Sequence, residues 1–233
     1  MPCRMVSPVG GWTDTRARHC LESSRLKTSK LFARRRKLLP LRRHCAINET
    51  VNEPRAIGNL ALVGFMGTGK SAVGRLVATE LGFAFVDTDE LIEERVGRRI
   101  ADLFAQEGEA AFRRLEGETV VELALRRDTV IATGGGLVVN PDNLASLKSH
   151  ALVVCLWASP GLIFERTRHA SHRPLLQTTD PLARIGELLA AREPAYRKAD
   201  VLVNTEFRSI REVAQQVLHQ FHEARRGSRA AAP

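Results

Sequence analysis

The sequence lacks any long hydrophobic run. No apolar stretch among its 233 residues approaches the roughly 20 residues that a membrane-spanning helix needs. The longest apolar runs, around residues 60–66 and 151–158, have the length of strands buried in a protein core. We therefore expect a folded domain that makes no use of a membrane.

Cysteine is also scarce. The chain has four cysteines, of which Cys3, Cys20 and Cys45 fall in the first 55 residues and Cys155 in a strand-like run. The paired C-x-x-C spacing of a structural zinc site is missing, and the scattered positions form no disulfide framework. This usage favours a reducing compartment, and the cytoplasm is the expected location.

Acidic residues are few at the beginning of the chain. Residues 1–55 carry 13 Lys and Arg against 4 Asp and Glu, whereas residues 56–233 carry 22 of each. The net charge of +9 therefore belongs to a basic leader that we expect to be disordered. Three hypotheses stay open for it: an artefactual upstream extension, a transit segment (for a plastid, for example), or an arm that contacts nucleic acid. Because the remainder is electrically balanced, nucleic-acid binding is not the expected function.

One glycine-rich motif dominates the remainder. Residues Gly64 to Ser71 match G-x-x-x-x-G-K-[ST], the phosphate-binding P-loop. An apolar run precedes them and a helical pattern follows, which is the strand–loop–helix context that the motif requires. In this motif backbone N–H groups surround phosphate oxygens, Lys70 reaches the β- and γ-phosphates, and the Ser71 hydroxyl binds Mg²⁺. The motif predicts nucleotide binding, with a chance glycine turn as the alternative.

From residue 56 onward, strand and helix patterns alternate. Five strands between helices predict an α/β fold, a three-layer structure with a five-stranded parallel sheet and helices on both faces. We predict one domain over residues 56–224 and a disordered tail over 225–233. The strands are predicted at 60–63, 84–86, 129–133, 151–157 and 201–203. The helices are predicted at 70–81, 89–96, 100–106, 109–126, 141–149, 160–168, 182–198 and 209–224.

Polar or glycine-rich segments follow two of the strands. Asp87 and Asp89 come after the second strand, and Gly134-Gly135-Gly136 follows the third. Ligands of open parallel sheets bind beyond the carboxyl ends of the strands, so one carboxylate can serve Mg²⁺ and the other an acceptor hydroxyl. The alternative for Asp89 is a helix N-cap, and for the glycines an ordinary loop.

Three arginines have weaker signals of their own. Arg113 and Arg192 lie in predicted helices, where a lone arginine is usually a solvated surface residue. Arg173 lies in a polar stretch, His169 to Asp180, that reads as a loop of about a dozen residues. Loops of this length inside compact domains are often mobile lids, and an arginine there can meet phosphates when the lid closes. A flexible surface loop is the alternative.

Taken together, these motifs resemble the shikimate kinase family of P-loop, nucleoside monophosphate kinase-like enzymes. The similarity spans about residues 58–222 and includes the ordered set D-T-D at 87–89, F-R-R at 112–114, G-G-G at 134–136 and R-P-L-L at 173–176. It implies ATP- and Mg²⁺-dependent phosphorylation of the 3-hydroxyl of shikimate, in aromatic amino-acid biosynthesis, by an enzyme that is expected to be monomeric.

The resemblance also implies a role for each candidate residue. Asp89 is the candidate base and Lys70 and Arg173 assist phosphoryl transfer, while Ser71 and Asp87 serve the metal. The nucleotide is bound by Gly67, Thr68, Gly69, Lys70, Ser71, Ala72, Arg166 and Arg173, with Arg166 stacked on adenine. Shikimate is bound by Asp89, Arg113, Gly134, Gly135, Gly136 and Arg192. Glu116, one helical turn from Arg113, is expected to orient it.

Two alternative functions are compatible with the P-loop. A related small-molecule kinase, such as a gluconate kinase, would share Lys70, Ser71 and a lid but not the F-R-R and G-G-G set. A GTP-dependent switch is less well supported, because the sequence has no D-x-x-G switch pattern and no N-K-x-D guanine motif.

Overall fold

A computed structural model describes residues 55–168 and 179–230, and within them five strands form one parallel sheet. The order across the sheet is β2-β3-β1-β4-β5, so the first strand lies in the middle. The strands are β1 (Asn59–Val63), β2 (Ala84–Asp87), β3 (Thr129–Ala132), β4 (Ala151–Trp157) and β5 (Val201–Asn204). The predicted α/β class and five-stranded parallel sheet are thereby confirmed.

Helices connect the strands and cover both faces of the sheet. They are α1 (Lys70–Leu81), α2 (Thr88–Val96), α3 (Ile100–Leu123), α4 (Pro141–His150), α5 (Pro160–Thr167), α6 (Pro181–Tyr196) and α7 (Ile210–Ala230). A short 3₁₀ helix, Leu137–Val139, follows the glycine triplet. None of the helices in these two ranges is long and apolar enough to cross a membrane.

Alternating side chains of the central strand divide the core into two layers. Leu60 and Leu62 pack with residues of α1 and α7 on one face of the sheet. Ala61 and Val63 pack with residues of α3, α4 and α6 on the other. All four side chains are fully buried, which explains why β1 reads as a continuous apolar run. The carboxyl end of β1, where the P-loop begins, is therefore anchored on both faces.

One predicted break is present and two predicted helix ends were wrong. Gly108 departs from helical geometry (φ 79°, ψ 177°) and divides α3 into two helical segments at a kink, as the separate helices at 100–106 and 109–126 predicted, although the second segment ends at Leu123. Helix α7 continues to Ala230, so residues 225–230 are helical where a loose tail was predicted. Its extension is held by Arg225, which lies over the Phe221 ring, and by Ser228, whose hydroxyl donates to the Arg55 carbonyl.

The predictions for the leader, for the lid and for the end of the chain cannot be compared with the structure. The leader before Arg55, most of the predicted lid, and residues 231–233 lie outside the described residues.

A buried histidine links the beginning of β1 to the end of α4. His150 is 4% exposed, and its Nδ1 lies 2.9 Å from Nδ2 of Asn59. Burial, followed by the charges of Arg127 and Arg55, lowers the pKa of His150 below its ordinary value. The folded protein therefore holds this imidazole neutral, with Nδ1 as the acceptor.

This histidine makes stability depend on pH. As the pH falls below about 6.5, the unfolded chain takes up a proton on His150 that the folded protein takes up only at lower pH. We expect the unfolding free energy of the His150→Asn variant to decrease less between about pH 7.5 and 5.5 than that of the parent. Urea denaturation at both pH values measures this, with the exposed His219→Asn change as the control. Equal pH dependence in parent and His150→Asn would contradict it.

Candidate active site

The P-loop turns sharply from β1 into α1. A Cβ atom on Gly64 would lie 2.2 Å from the Leu156 carbonyl oxygen, and the glycine has φ 128°, so no other residue fits here without a shift of β4. Gly67 and Gly69 also have left-handed backbones, with φ 77° and 93°. The Thr68 hydroxyl donates to the Phe65 carbonyl over 2.8 Å, which closes the loop upon itself.

Helix α1 begins at the end of this loop and directs the backbone N–H groups of its first turn toward it. Lys70, Ser71 and Ala72 form its first turn, and the first intrahelical donor is Val73 N–H, which bonds to the Gly69 carbonyl. The Lys70 ammonium donates to the carbonyls of Gly64 and Phe65, each over 2.9 Å. Backbone N–H groups, a helix N-terminus and an ammonium thus meet at one loop, which suits bound phosphate.

Ser71 and Asp87 bring α1 and the end of β2 together. The Ser71 hydroxyl donates to Asp87 Oδ2 over 2.7 Å, and Asp87 Oδ1 accepts from the Asp89 backbone N–H over 3.1 Å. Asp87, rather than Asp89, is therefore the N-cap of α2. The N-cap alternative for Asp89 was wrong, and the Asp89 side chain is left available for another role.

The donor set at Ser71 and Asp87 fits a magnesium ion. A hydroxyl and a carboxylate supply oxygen ligands, which Mg²⁺ prefers. In residues 55–168 and 179–230 no group of three or more His, Cys, Asp and Glu side chains could hold a metal. The remaining ligands would therefore be water and phosphate oxygens, as is usual for Mg²⁺ in nucleotide sites.

Asp89 occupies an unusual environment for a carboxylate. Its Oδ1 is buried and has no hydrogen-bond partner among the described residues. Burial, then the charges of Asp87 and Glu116, raise the pKa of Asp89 to about 6, while Lys70 acts in the opposite direction. A carboxyl group with this pKa can exchange a proton near neutral pH, as a general base must.

Each glycine of the triplet lies against a polar group of the site. A Cβ on Gly134 would lie 2.5 Å from Asp89 Oδ1, and one on Gly136 would lie 2.7 Å from Arg113 Nη1. On Gly135 it would lie 3.4 Å from the Met66 backbone nitrogen and 3.6 Å from Arg192 Nη1. Close approach therefore favours glycine at positions 134 and 136, whereas a Cβ at 135 would make ordinary van der Waals contacts. The triplet brings Asp89 and both arginines to one place.

Two glutamates hold Arg113. Its Nη1 donates to Glu116 Oε2 over 2.6 Å, while Nε and Nη2 donate to Glu109 Oε1 over 3.1 and 2.8 Å. The Glu116 side chain is 1% exposed, and burial raises its pKa although Arg113 opposes the rise. The predicted contact between Glu116 and Arg113 is present, and Glu109 adds a second one.

Arg192 approaches the same glycines from α6. Its Nη1 lies 3.3 Å from the Gly135 carbonyl oxygen, and its guanidinium lies 5.4 Å from the Phe65 ring centre. Tyr196, one turn later, donates its hydroxyl to the same carbonyl over 2.6 Å. Both arginines thus lie beside the glycine triplet, one from α3 and one from α6.

Arg166 lies on another side of the P-loop. It donates to the Gly67 carbonyl over 3.3 Å and to the hydroxyl and carbonyl of Thr205 over 3.1 and 3.2 Å. It therefore joins the P-loop to the segment after β5. Arg173 lies outside the described residues.

A separate cleft of about 920 Å³ runs along β5 between α6 and α7. Trp157, Leu189 and Leu202 are among its lining residues, and none of the predicted site residues lines it. The convergent charged groups lie instead at the carboxyl ends of β1, β2 and β3.

Sequence reasoning assigned no role to four residues of this site, although Thr88 stands in the D-T-D motif and Tyr196 belongs to the segment that resembles the family. Thr88 accepts the Gly134 N–H over 2.9 Å, and Glu109, Tyr196 and Thr205 each hold a predicted residue or its loop. Helical spacing offered a signal for two of them, since Glu109 precedes Arg113 by four residues and Tyr196 follows Arg192 by four. Thr88 and Thr205 had no such signal, because their partners lie far away along the chain.

The close approach at Gly134 can be tested directly. In Gly134→Ala the new methyl would lie 2.5 Å from Asp89 Oδ1 and 3.1 Å from Glu116 Oε1, so the carboxylate must move. Because displacements of about 1 Å at a reacting group cost on the order of 100-fold, we expect kcat to fall by at least about tenfold. Gly161→Ala, in open space on α5, is the control and should keep parental kcat. Parental kcat in Gly134→Ala would contradict the role of this contact.

Comparison with known proteins identifies relatives of the chain. A family model described as shikimate kinase matches residues 66–222. A shikimate kinase of Thermodesulfovibrio yellowstonii is 44% identical over 169 residues, covering 72% of this chain and 98% of the relative. A shikimate kinase of Thermus thermophilus is 44% identical over 178 residues, covering 75% of this chain and 97% of the relative.

Solved structures give the same result. A shikimate kinase from Acinetobacter baumannii in complex with shikimate matches with a TM-score of 0.69 and 38% identity, over 72% of this chain and 94% of that chain. A gluconokinase from Sinorhizobium meliloti has a TM-score of 0.51 at 20% identity, over 77% of this chain and 99% of that one. Because the identity is only 20%, the similarity to the gluconokinase concerns the fold alone.

Proposed function

We propose that this chain, which belongs to the shikimate kinase family, transfers the terminal phosphoryl group of ATP to the 3-hydroxyl of shikimate. One observation carries the proposal: Arg113 and Arg192 lie beside a glycine triplet that also touches Asp89, next to a phosphate-binding loop. Two guanidinium groups suit one carboxylate, and a buried carboxylate with backbone amides suits neighbouring hydroxyls. Shikimate offers both kinds of group.

The ATP side of the site follows from the P-loop. The N–H groups at the start of α1 and the Lys70 ammonium would bind the phosphates, and Arg166 would lie against the adenine. Ser71 would hold Mg²⁺ directly and Asp87 would hold its water shell. The ion would neutralise charge on the phosphates. Arg173 stays a predicted lid residue that would add positive charge to the phosphates.

The acceptor side follows from the groups around the triplet. Asp89 would accept the proton of the 3-hydroxyl as that oxygen attacks the terminal phosphorus. Arg113 and Arg192 would fix the carboxylate at the other end of the molecule, so that the hydroxyl is held toward the P-loop. The N–H groups of Gly135 and Gly136 would donate to the substrate, whereas the Gly134 N–H, also predicted as a donor, is already bonded to the Thr88 hydroxyl. Lacking side chains, the triplet would leave room for the ring of the substrate.

Release of ADP tests the proposal. With ATP and Mg²⁺, the purified chain should release ADP when shikimate is added and not when gluconate replaces it, and mass spectrometry should detect a monophosphorylated product. Turnover with gluconate alone would support the related kinase instead. Absence of turnover with both acids would overturn the proposed function.

Cytoplasmic location and a monomeric state remain predictions. The leader has its own test, since removal of residues 1–54 should leave turnover unchanged. If the leader binds nucleic acid, the same deletion should abolish salt-sensitive retention on DNA.

A further inference from the structure

Tyr196 contacts the glycine triplet, Gly134–Gly136, from the end of α6. It is the last residue of α6, is 2% exposed, and donates its hydroxyl to the Gly135 carbonyl over 2.6 Å. Arg192 donates to the same oxygen over the longer distance of 3.3 Å. The shorter bond is therefore the tyrosine's, and burial raises the pKa of this phenol to about 12, which keeps its proton in place.

The hydroxyl completes a set of bonds that fixes the carbonyls of the triplet. The Gly134 carbonyl accepts from the Leu137 N–H over 3.3 Å, and the Gly136 carbonyl accepts from the Val139 N–H over 3.0 Å. Gly135 is the one member of the triplet whose carbonyl depends on side chains from another element. The Gly134 N–H is itself bonded to the Thr88 hydroxyl over 2.9 Å, so with all three oxygens turned to protein donors the N–H groups of Gly135 and Gly136 are the ones left for a substrate.

The Gly135 carbonyl also competes for Arg192. A carbonyl oxygen accepts two hydrogen bonds, and a buried one that loses its better donor draws more strongly on the remaining donor. Without the Tyr196 hydroxyl, Arg192 would have to satisfy Gly135 alone. Its guanidinium would then be held to the loop, and fewer of its N–H groups would be directed to a substrate carboxylate.

We propose that Tyr196 is a positioning residue, which holds the Gly135 carbonyl so that Arg192 and the N–H groups of Gly135 and Gly136 are placed for the acceptor substrate. The proposal rests on the function proposed above and assigns to Tyr196 an effect on shikimate binding rather than on ATP binding. It also links α6 to the loop after β3, two elements that sequence separates by about 60 residues.

The Tyr196→Phe variant removes only the hydroxyl. Loss of one buried hydrogen bond predicts a rise in KM for shikimate of about tenfold, with kcat and KM for ATP within about twofold of the parent. Thr129→Val is the matched control. It also removes a buried hydroxyl that donates to a backbone carbonyl, that of Arg127 over 3.0 Å, but at the amino end of β3. The control should leave all three constants unchanged.

A double-mutant cycle with Arg192→Lys separates positioning from a general structural role. If Tyr196 acts through Arg192, adding Tyr196→Phe to Arg192→Lys should change KM for shikimate by less than about threefold, in place of about tenfold. Independent multiplication of the two effects would overturn the proposal. So would an equal rise of KM for ATP and for shikimate, which would indicate a general loss of structure.

Tyr196 is the single tyrosine of the chain, which permits a measurement without any substitution. Protein grown on 3-fluorotyrosine should give one ¹⁹F resonance, and saturating shikimate should shift it more than Mg·ADP does. A resonance that does not respond to shikimate, in protein that phosphorylates shikimate, would overturn the role of Tyr196. Absence of shikimate turnover in the parent would instead overturn the function proposed above.

Discussion

Asp89→Asn should lower kcat by about 10²–10⁴-fold while KM for ATP changes by less than about threefold. Asparagine keeps the size of the side chain but accepts no proton from the attacking hydroxyl. The ATP side of the site is left intact, because Ser71 and Asp87 contact each other and Lys70 folds over the P-loop. Release of ADP at saturating shikimate measures kcat, and Asp142→Asn, an exposed change on α4, is the control.

The pH dependence of the parent should identify the same residue. A base with a pKa of about 6 in the free enzyme is ionised at pH 7 and protonated below pH 6, so kcat/KM for shikimate should fall about tenfold per pH unit on the acid side of 6. The residual activity of Asp89→Asn should lack this limb. If Asp89→Asn loses activity below pH 6 as the parent does, or if it is fully active, Asp89 is not the base.

The same substitution should stabilise the fold. The pKa of Asp89 is raised in the folded protein, so stability decreases as the pH rises from about 4 to about 6, and at pH 7 the buried carboxylate is a cost. We expect Asp89→Asn to unfold with a free energy larger by about 1–3 kcal/mol at pH 7. A variant that is more stable and less active cannot owe its loss of activity to misfolding.

Local patterns were sufficient for most elements of the fold. Helix α1 and strand β4 lie where they were predicted, because each combines an uninterrupted period with a clear start or stop: the P-loop before Lys70 and Pro160 after β4. The predicted break at residues 107–108 is present as well, because Gly108 leaves helical geometry and a new helical segment begins at the next residue.

Local sequence patterns did not predict which residues contact each other across the sheet. The position of β1 between β3 and β4 determines that Gly135 lies against the P-loop, and no local signal specifies this order. The roles of Asp87 and Asp89 illustrate the same limit. The N-cap role was offered as the alternative for Asp89, but the conformation of the chain gives it to Asp87. Likewise Arg113 differs from its exposed neighbour Arg114 through burial, which a pair of adjacent arginines does not reveal.

Arg113→Ala should raise KM for shikimate by about 30- to 150-fold, which corresponds to about 2–3 kcal/mol of lost binding free energy. Arginine binds a carboxylate through two parallel N–H groups, and alanine offers none. Arg114→Ala is the matched control, because it removes the same side chain from the next, exposed position of α3. The Arg114→Ala control should have the parental KM for shikimate. A parental KM for shikimate in Arg113→Ala would contradict the role of Arg113 in substrate binding.

Stability complicates this test, because Arg113 also neutralises Glu116. That carboxylate is 1% exposed and its Oε1 already lacks a partner among the described residues, so removing Arg113 leaves a buried charge unpaired. The cost is about 3–5 kcal/mol of unfolding free energy. The double variant Arg113→Ala/Glu116→Gln removes both charges and should recover most of that stability while KM for shikimate stays high. Recovery of a parental KM in the double variant would mean that Arg113 acts by neutralising Glu116, and that the carboxylate of the substrate is bound by Arg192 without it.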